Sequence, residues 1–538
     1  MNAYEHFLLA MFFRLLFGII QVDDVCGYFA LQGNENLKFH MLPQQLVSLI
    51  DWSILMAKFN SKSTGAARAT SYEGAELYEK ELEQDWVNFL FSSMLSNKFY
   101  ESDQEQMDRF TKLTYDMIEK YGASFAAKAA HFTRNELGLR SISELLAAIL
   151  NSYQFEGKRD FYARYFHRPD GVSEVFGAID MLGNNRSHAL IRGCADYLGT
   201  LGEYQLTKYK MLGREYNMYD LINLCHPKSA AVDKFQRGEI KSADTWETRI
   251  SGSEDKEEKE QNWRELVEGR KLGYLALLRN LRNILNCDFA DNEWIKTYLV
   301  PQITNAVAIK KSLVFPYQIY TAYKFLDEKP MSIMVALDEA FRAAIGNVPI
   351  LNGSSLLVLD VSGSMDSPCS DNSKITCKEI GAVYGACIYL SNKDSEFIKF
   401  GNRAQECEYR RTMNVFDMIE KMQDNDNCGY GTDIVPVWNM LDKHYDRIFL
   451  ISDMQVMESC PWGWTTRCDP VEAMSKYFLN FGETHVYSFD VSNYNSQIAN
   501  PRSGNLTMLT SLSSQVFKML EYIEQGGNLV QMIQDYTY

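Results

Sequence analysis

No two of the eleven cysteines stand in C-x-x-C spacing, and their odd number leaves one over in any disulfide scheme. That excludes a zinc ribbon or a disulfide-stapled scaffold and suits a reducing, cytoplasmic compartment. Positive charge is also short: 54 Lys and Arg face 70 Asp and Glu, a formal charge of −16. A protein that binds nucleic acid over its whole surface is basic, so any such site here is a local patch. H-E-x-x-H, P-loop and paired-glutamate motifs are absent, and no enzyme is expected. Nor is a membrane span expected. The apolar stretch FLLAMFFRLLFGII (Phe7 to Ile20) is broken by Arg14 and preceded by Glu5 where a basic flank belongs. It falls short of the ~20 residues needed to cross a bilayer. It reads as a buried or peripheral helix, or as sequence ahead of a start at Met56.

What the chain does have is apolar mass. Hydrophobic residues make up 46% of 538 and aromatics 13%, enough for more than one core. From Ala66 to about Ile345, apolar residues recur at three- and four-residue spacing in segment after segment, such as SISELLAAILNSYQF and GYLALLRNLRNIL. This predicts an all-α, helical-repeat body, although no fixed period marks a repeat. The charge run SGSEDKEEKEQNWRE (Ser251 to Glu265) reads as a solvated loop or helix start. At Asn352 and Gly353 the texture changes. SLLVLDVS, EFIKFG, RIFLISDM and HVYSFDVS read as strands alternating with helices, the pattern of a doubly wound α/β sheet. The expected organisation is an extension over 1–55, a helical domain over 56–350 and an α/β domain over 351–538.

In such sheets ligands bind beyond the carboxyl ends of the strands. Asp360, Ser362 and Ser364 form D-x-S-x-S at one such end, Asp453 ends another strand, and Thr432 lies in the loop GYGTD. Carboxylates and hydroxyls from three loops suit one hard divalent cation, Mg²⁺ above all, with an outward position left for a partner's carboxylate. The bland alternative is a set of helix-capping turns. Asp366 and Asp433 read as a turn residue and a helix-start charge, and Asp490 as a structural mimic of the first motif. Two aspartates do not supply the carboxylates of a two-metal nuclease.

The α/β part resembles a von Willebrand factor type A (vWA) module. A helical domain ahead of it, with the words LTKYK (Leu206 to Lys210), DLINLCHPKS (Asp220 to Ser229), LALLRNL (Leu275 to Leu281) and FPYQIYTAYK (Phe315 to Lys324), resembles the Ro ribonucleoprotein family. The helical part of that family is the TROVE module, and RNELGLRSISELL looks like its bacterial and phage-type members. The resemblance covers roughly Met56 to the C-terminus. It implies a ring of HEAT-like helical repeats closed by the vWA module. It further implies a monomer that binds small noncoding RNAs of the Y class outside the ring and single-stranded ends of misfolded RNA in its hole, in RNA quality control.

Carried over, the outer RNA site falls on Lys208, Lys210 and His226, with Arg214 and Lys228 as neighbours and Arg192 one helix earlier. Lysines give salt-sensitive phosphate contacts, and a histidine ring stacks or hydrogen-bonds. A single lysine reads more readily as a solvated charge, and His226 equally as a buried, satisfied histidine; only the cluster favours RNA. Arg134, Arg140, Lys158, Arg159, Arg164 and Arg168 form a second cationic stretch interleaved with Phe161, Tyr162, Tyr165 and Phe166. Such mixtures suit single-stranded RNA, and the same aromatics at helical spacing suit a core. Gln455 stands where related sequences often carry an acid. A competing reading keeps the metal and drops the RNA: a metal-dependent protein-interaction scaffold.

Overall fold

Strand β3 (Ser355–Asp360) is buried along its whole length, and its side chains alternate between two different cores. Leu357 and Leu359 face the helix Cys377–Ser391, while Leu356 and Val358 face the helices Val435–Met440 and Pro470–Phe481. Gly381 sets the approach of the first of these helices. A Cβ there would stand 2.7 Å from the Leu359 side chain and 3.0 Å from that of Ile451. This computed structural model describes residues 68–91, 101–240, 245–368 (except 347 and 349), 374–457, 469–494, 496–498, 505–509, 520, 522–524 and 528–538. The stretch Phe7 to Ile20 and the candidate start at Met56 lie outside them.

The sheet has six strands in the order β5-β4-β3-β6-β7-β9. Strands β4 (Ser395–Phe400), β6 (Arg447–Ser452), β7 (His485–Asp490) and β9 (Leu506–Leu509) run parallel with β3. The edge strand β5 (Ala404–Cys407) is antiparallel to β4. The chain leaves β3 toward β4 and returns to the other side of β3 as β6. The strand order therefore reverses at the β3–β6 pair, and a crevice opens beyond their carboxyl ends.

Among the described residues helices fill most of 82–345, as the periodicity predicts, and several are started by side-chain caps. Ser102 and Glu105 form a reciprocal capping box at the helix Asp103–Tyr121. Asn217 and Asp220 do the same at the helix Met218–Cys225. The charge run between Ser251 and Glu265 falls mostly on the helix Lys256–Glu268. Where the sequence suggests helices throughout, residues 68–79 instead form a hairpin of β1 (Arg68–Thr70) and β2 (Glu76–Glu79). The second strand of that hairpin pairs with β8 (Ser496–Gln497), more than 400 residues away in the chain by the register Tyr78↔Gln497. Short strands completed by a distant segment leave little local signal.

The described residues belong to one unit, Ala66–Tyr538, and a single apolar cluster runs from the helices into one face of the sheet. The chain's last stretch ties the two parts further. The helix Leu529–Asp535 packs on the helix Ala123–Asn135. Tyr538 then stacks on His131 with centroids 3.9 Å apart and planes 4° from parallel, and Arg164 donates to its carbonyl at 3.1 Å. No described helix is long and apolar enough to cross a membrane. No disulfide forms among the described cysteines; Cys377 and Cys387 are buried thiols.

His131 is 1% exposed, and burial pushes its pKa down from 6.5 to about 4 despite the Phe161 carbonyl 3.2 Å from Nε2. Above pH 6.5 neither folded nor unfolded chain protonates it. Between pH 6.5 and about 4 only the unfolded chain takes up the proton, so stability falls by up to about 3 kcal/mol across that window. Urea unfolding midpoints measured through this range check the loss, and His131→Phe flattens it.

Candidate functional site

The two carboxylates at the crevice are almost wholly buried, Asp360 at 0% and Asp453 at 1% exposure. Register explains their meeting: Leu359 pairs with Ile451, so Asp360 comes level with Ser452 at the strand ends and Asp453 follows one residue beyond. Asp360 accepts the Ser362 N–H at 2.8 Å and the Ser452 hydroxyl at 2.6 Å. Asp453 accepts the Gln455 N–H at 3.1 Å and a hydrogen bond from the Ser364 side chain. Ser362 and Ser364 hydroxyls lie 3.4 Å apart.

Thr432 reaches the same rim through its backbone. The Gly363 N–H donates to the Tyr430 carbonyl at 2.9 Å, and the Met457 N–H donates to the Thr432 carbonyl at 2.9 Å. The 430–432 loop is thus clamped between the turn carrying Ser362 and Ser364 and the loop carrying Asp453. Asn402 holds it from behind, accepting the Gly431 N–H at 2.8 Å. The structure therefore brings all five residues of the sequence motif to one rim. Asp433 caps its helix through the Val435 N–H, as read, and Asp366 pairs with Lys378 at 2.7 Å.

Burial raises the pKa of Asp360, and it raises that of Asp453 to about 7, the neighbouring Asp360 charge adding to the rise. The Ser364 and Gln455 hydrogen bonds pull Asp453 the other way. Two desolvated acids sharing a rim with three hydroxyls form an all-oxygen donor set, which fits a hard divalent ion. Among the described residues no group of three or more His, Cys, Asp or Glu side chains is arranged to hold a metal. Any ion here relies on the hydroxyls as much as on the acids.

Sequence reasoning passed over Ser452, although it adjoins Asp453, and treated Gln455 only as a departure. Gln455 is a strut: its amide nitrogen donates to Ser496 Oγ at 2.9 Å, and its oxygen accepts the Tyr72 N–H at 2.8 Å. With Ser71 donating to the Val456 carbonyl at 2.7 Å, the N-terminal hairpin is fastened to the loop after Asp453. Asp490 is structural as expected. It accepts from the N–H groups of Ser492 and Asn493 and pairs at 2.9 Å with Lys80, both side chains 0% exposed.

The cationic residues of the helical body divide sharply. Phe161, Tyr162 and Tyr165 are 0% exposed and Phe166 is 3%. The stretch proposed around them for single-stranded RNA is corrected: its aromatics are core. Its cations are mostly engaged: Arg134 and Arg140 with Glu144, Arg159 with Asp196, Arg168 with Asp170, and buried Lys158 with the Asn151 and Tyr153 carbonyls.

The other set is exposed, apart from half-buried Lys210. Asn217 caps the helix Met218–Cys225, whose C-terminal neighbour His226 adopts a left-handed conformation (φ 54°) and projects into solvent, which removes the buried-histidine reading. Lys210 lies at this helix's start, its carbonyl accepting the Met218 N–H at 3.1 Å. Lys228 follows its end, and Arg192 is exposed on the helix His188–Gly199 packed beside it. An eight-residue helix separates the two ends of this patch by roughly 12 Å. Lys208 stands 4.0 Å from Glu247, and Arg214 pairs with Glu174. Among the described residues no ion pair engages Arg192, Lys210 or Lys228. Tyr204 (54% exposed) and Tyr219 (41%) stand in the same region, with the Lys208 ammonium 5.7 Å from the Tyr204 ring. Helical spacing alone would have sent both rings to the core.

Comparison with known proteins matches residues 204–332 to the TROVE domain and 355–509 to the Ro60 vWA domain. Five of the six cationic residues fall in the first span, Arg192 preceding it, and all five rim residues in the second. The chain is 22% identical over 270 residues to RNA-binding protein RO60 of Caenorhabditis elegans, covering 47% of this chain and 40% of that protein. The match thus spans well under two thirds of that relative. The crystal structure of the Deinococcus radiodurans RO (RSR) protein superposes with a TM-score of 0.59 at 17% identity, covering 83% of this chain and 100% of that one. That likeness shows the fold: helices followed by a mixed, mainly parallel sheet.

The Lys80–Asp490 pair joins the hairpin region to the sheet without solvent contact. Replacing Lys80→Met strands a buried carboxylate, and urea denaturation is expected to show a loss of roughly 3–5 kcal/mol.

Proposed function

For a chain that belongs to the Ro family, with its TROVE domain and Ro60-type vWA domain, we propose a non-catalytic RNA-binding role in a ribonucleoprotein. The observation that carries it is the patch of exposed Arg192, Lys208, His226 and Lys228 with half-buried Lys210 on a protein of net charge −16. Cations held on a rigid, capped helix pair in an otherwise acidic molecule mark where a polyanion docks. The ligands are small structured noncoding RNAs of the Y-like kind, with single-stranded ends of misfolded RNA as a second class in quality control. Arginine and lysine supply phosphate contacts, and His226, Tyr204 and Tyr219 offer rings to unpaired bases.

The vWA rim serves a different partner. Asp360, Ser362, Ser364, Thr432 and Asp453 would hold one divalent cation, Mg²⁺ being the ion their oxygen donors suit. The bound ion would supply a Lewis-acidic position for a carboxylate of a protein ligand. Tyr430, 71% exposed and hydrogen-bonded through its carbonyl to the Gly363 N–H, offers that ligand an apolar contact at the rim. The buried free thiols suit a reducing, cytoplasmic setting.

Reversing two charges tests the RNA reading. Lys208→Glu with Lys210→Glu is expected to weaken binding of a structured small RNA at least 100-fold in a gel shift. The slope of log affinity against log salt should fall by roughly 2, with the circular dichroism spectrum unchanged. Equal affinity in the variant would overturn the reading.

The metal reading has its own readout. Mg²⁺ at a hundred times its dissociation constant is expected to stabilise the native chain by about 2.7 kcal/mol. Chelation by EDTA should reverse this, and Asp453→Asn should abolish the response.

A further inference from the structure

Two of the sequence words that carry the family likeness, LALLRNL and FPYQIYTAYK, have no part in the patch or the metal rim. They meet in space. The helices Tyr274–Leu285 and Pro316–Lys324 pack together and leave between them a cleft of about 470 Å³. That volume lies in the range of small-molecule sites, roughly 300–1,000 Å³. Residues 275, 278, 279 and 282 of the first helix and 317, 318, 321, 322 and 325 of the second line it. Each set is a single helical face at i, i+3 or i+4 spacing, while Leu277, Leu281, Ile319 and Tyr320 on the opposite faces enter the core.

We propose that this cleft binds one nucleoside monophosphate unit, its base on the apolar floor and its phosphate on Arg279. The floor is made by Leu278 and Phe325, with the Tyr317 ring beside them, an apolar and aromatic surface suited to a planar heterocycle. The rim is cationic. Arg279 is exposed and has no acidic partner among the described residues. Arg282, three residues on, stands 4.0 Å from Asp327, whose carboxylate also accepts from Asn286 at 3.0 Å. The rim thus keeps a positive excess at Arg279, where a planar guanidinium meets a phosphate with two donors. Gln318 spends its side-chain oxygen on the Phe315 N–H at 2.9 Å, which leaves its amide nitrogen as a donor for a base edge. Apolar floor, side-chain amide and unpaired guanidinium together match the face of a base, its polar edge and a phosphate better than they match a lipid or a peptide side chain.

The same chemistry has two sources, a free mononucleotide or the terminal residue of a single RNA strand. Only the second rests on the RNA-binding role proposed above. Isothermal titration of the full chain with adenosine 5′-monophosphate, adenosine, inorganic phosphate and single-stranded hexaadenylate separates them. The monophosphate is expected to bind at least tenfold more tightly than adenosine or phosphate. Arg279→Glu should weaken it at least tenfold, and Arg279→Lys, which keeps the charge but loses the paired donors, should weaken it less than Arg279→Glu does. Hexaadenylate binding more tightly than the monophosphate, and weakened alike by Arg279→Glu, identifies the strand as the source; equal affinities identify the free nucleotide. The proposal is overturned if Arg279→Glu, with an unchanged unfolding midpoint, leaves both affinities unaltered. If hexaadenylate responds only to Lys208→Glu with Lys210→Glu while the monophosphate still responds to Arg279→Glu, the strand is excluded and the free nucleotide is the ligand. The latter pair reports on the structured-RNA patch, so failure there and failure in the cleft are read separately.

Discussion

Strand β3 pairs in parallel on both sides, and much of the molecule follows from that constraint. A parallel neighbour on each side requires two crossovers, and the chain takes them in opposite directions from β3. The carboxyl ends of β3 and β6 therefore diverge from their connections at a common crevice. Asp360 and Asp453 meet there because register permits no other outcome: a one-residue slip would turn every buried Leu and Val of the strand to the wrong core. The acid pair is expensive to desolvate, and neither carboxylate is accompanied by a cationic side chain within hydrogen-bonding reach in the described structure. Backbone N–H groups and serine hydroxyls carry that burden, as they would in ordering donors around an ion.

The two faces of the sheet have different roles. One is closed by the α/β module together with Ala75, Leu77 and Tyr78 of the N-terminal hairpin, while the other continues into the helical body. The modules are thus not beads on a linker. The hairpin over residues 68–79 reinforces the union by adding strands next to β8, while Gln455 links that hairpin to the loop carrying Asp453. A change in the rim loop is therefore felt by residues nearly 400 positions earlier. At the other end, Tyr538 closes over His131 and shields an imidazole that then resists protonation.

The helical body shows how burial decides function between similar sequences. Two stretches mix cations with aromatics. In one, the rings of Phe161, Tyr162 and Tyr165 are sealed between helices, helped by Gly193, where a Cβ would stand 2.6 Å from the Arg159 carbonyl. Its arginines and lysine are consumed by acids and carbonyls. In the other, Tyr204 and Tyr219 remain outside, and several cations face water without a counter-charge. Only the second arrangement leaves charge and ring surface for a ligand. The Arg279 cleft repeats the pattern on a smaller scale, with helix faces that pack apolar groups below and leave a guanidinium above.

Much of this was legible from residues alone. Helical periodicity over 82–345, the change of texture at Asn352, and the strands around Asp360 and Asp453 all reflect local patterns of apolar spacing, which a linear reading captures. The D-x-S-x-S word and the strand-end position of Asp453 named the rim in advance. What the sequence could not supply was anything that depends on which side of an element meets a neighbour. Aromatics set among cations are core at Phe161 and surface at Tyr204; His226 is exposed where its helix ends in a left-handed turn; Lys80 finds Asp490 across more than 400 residues. Local order is written in short-range periodicity, whereas burial and partnership are set by contacts between distant segments, and only the folded chain determines those.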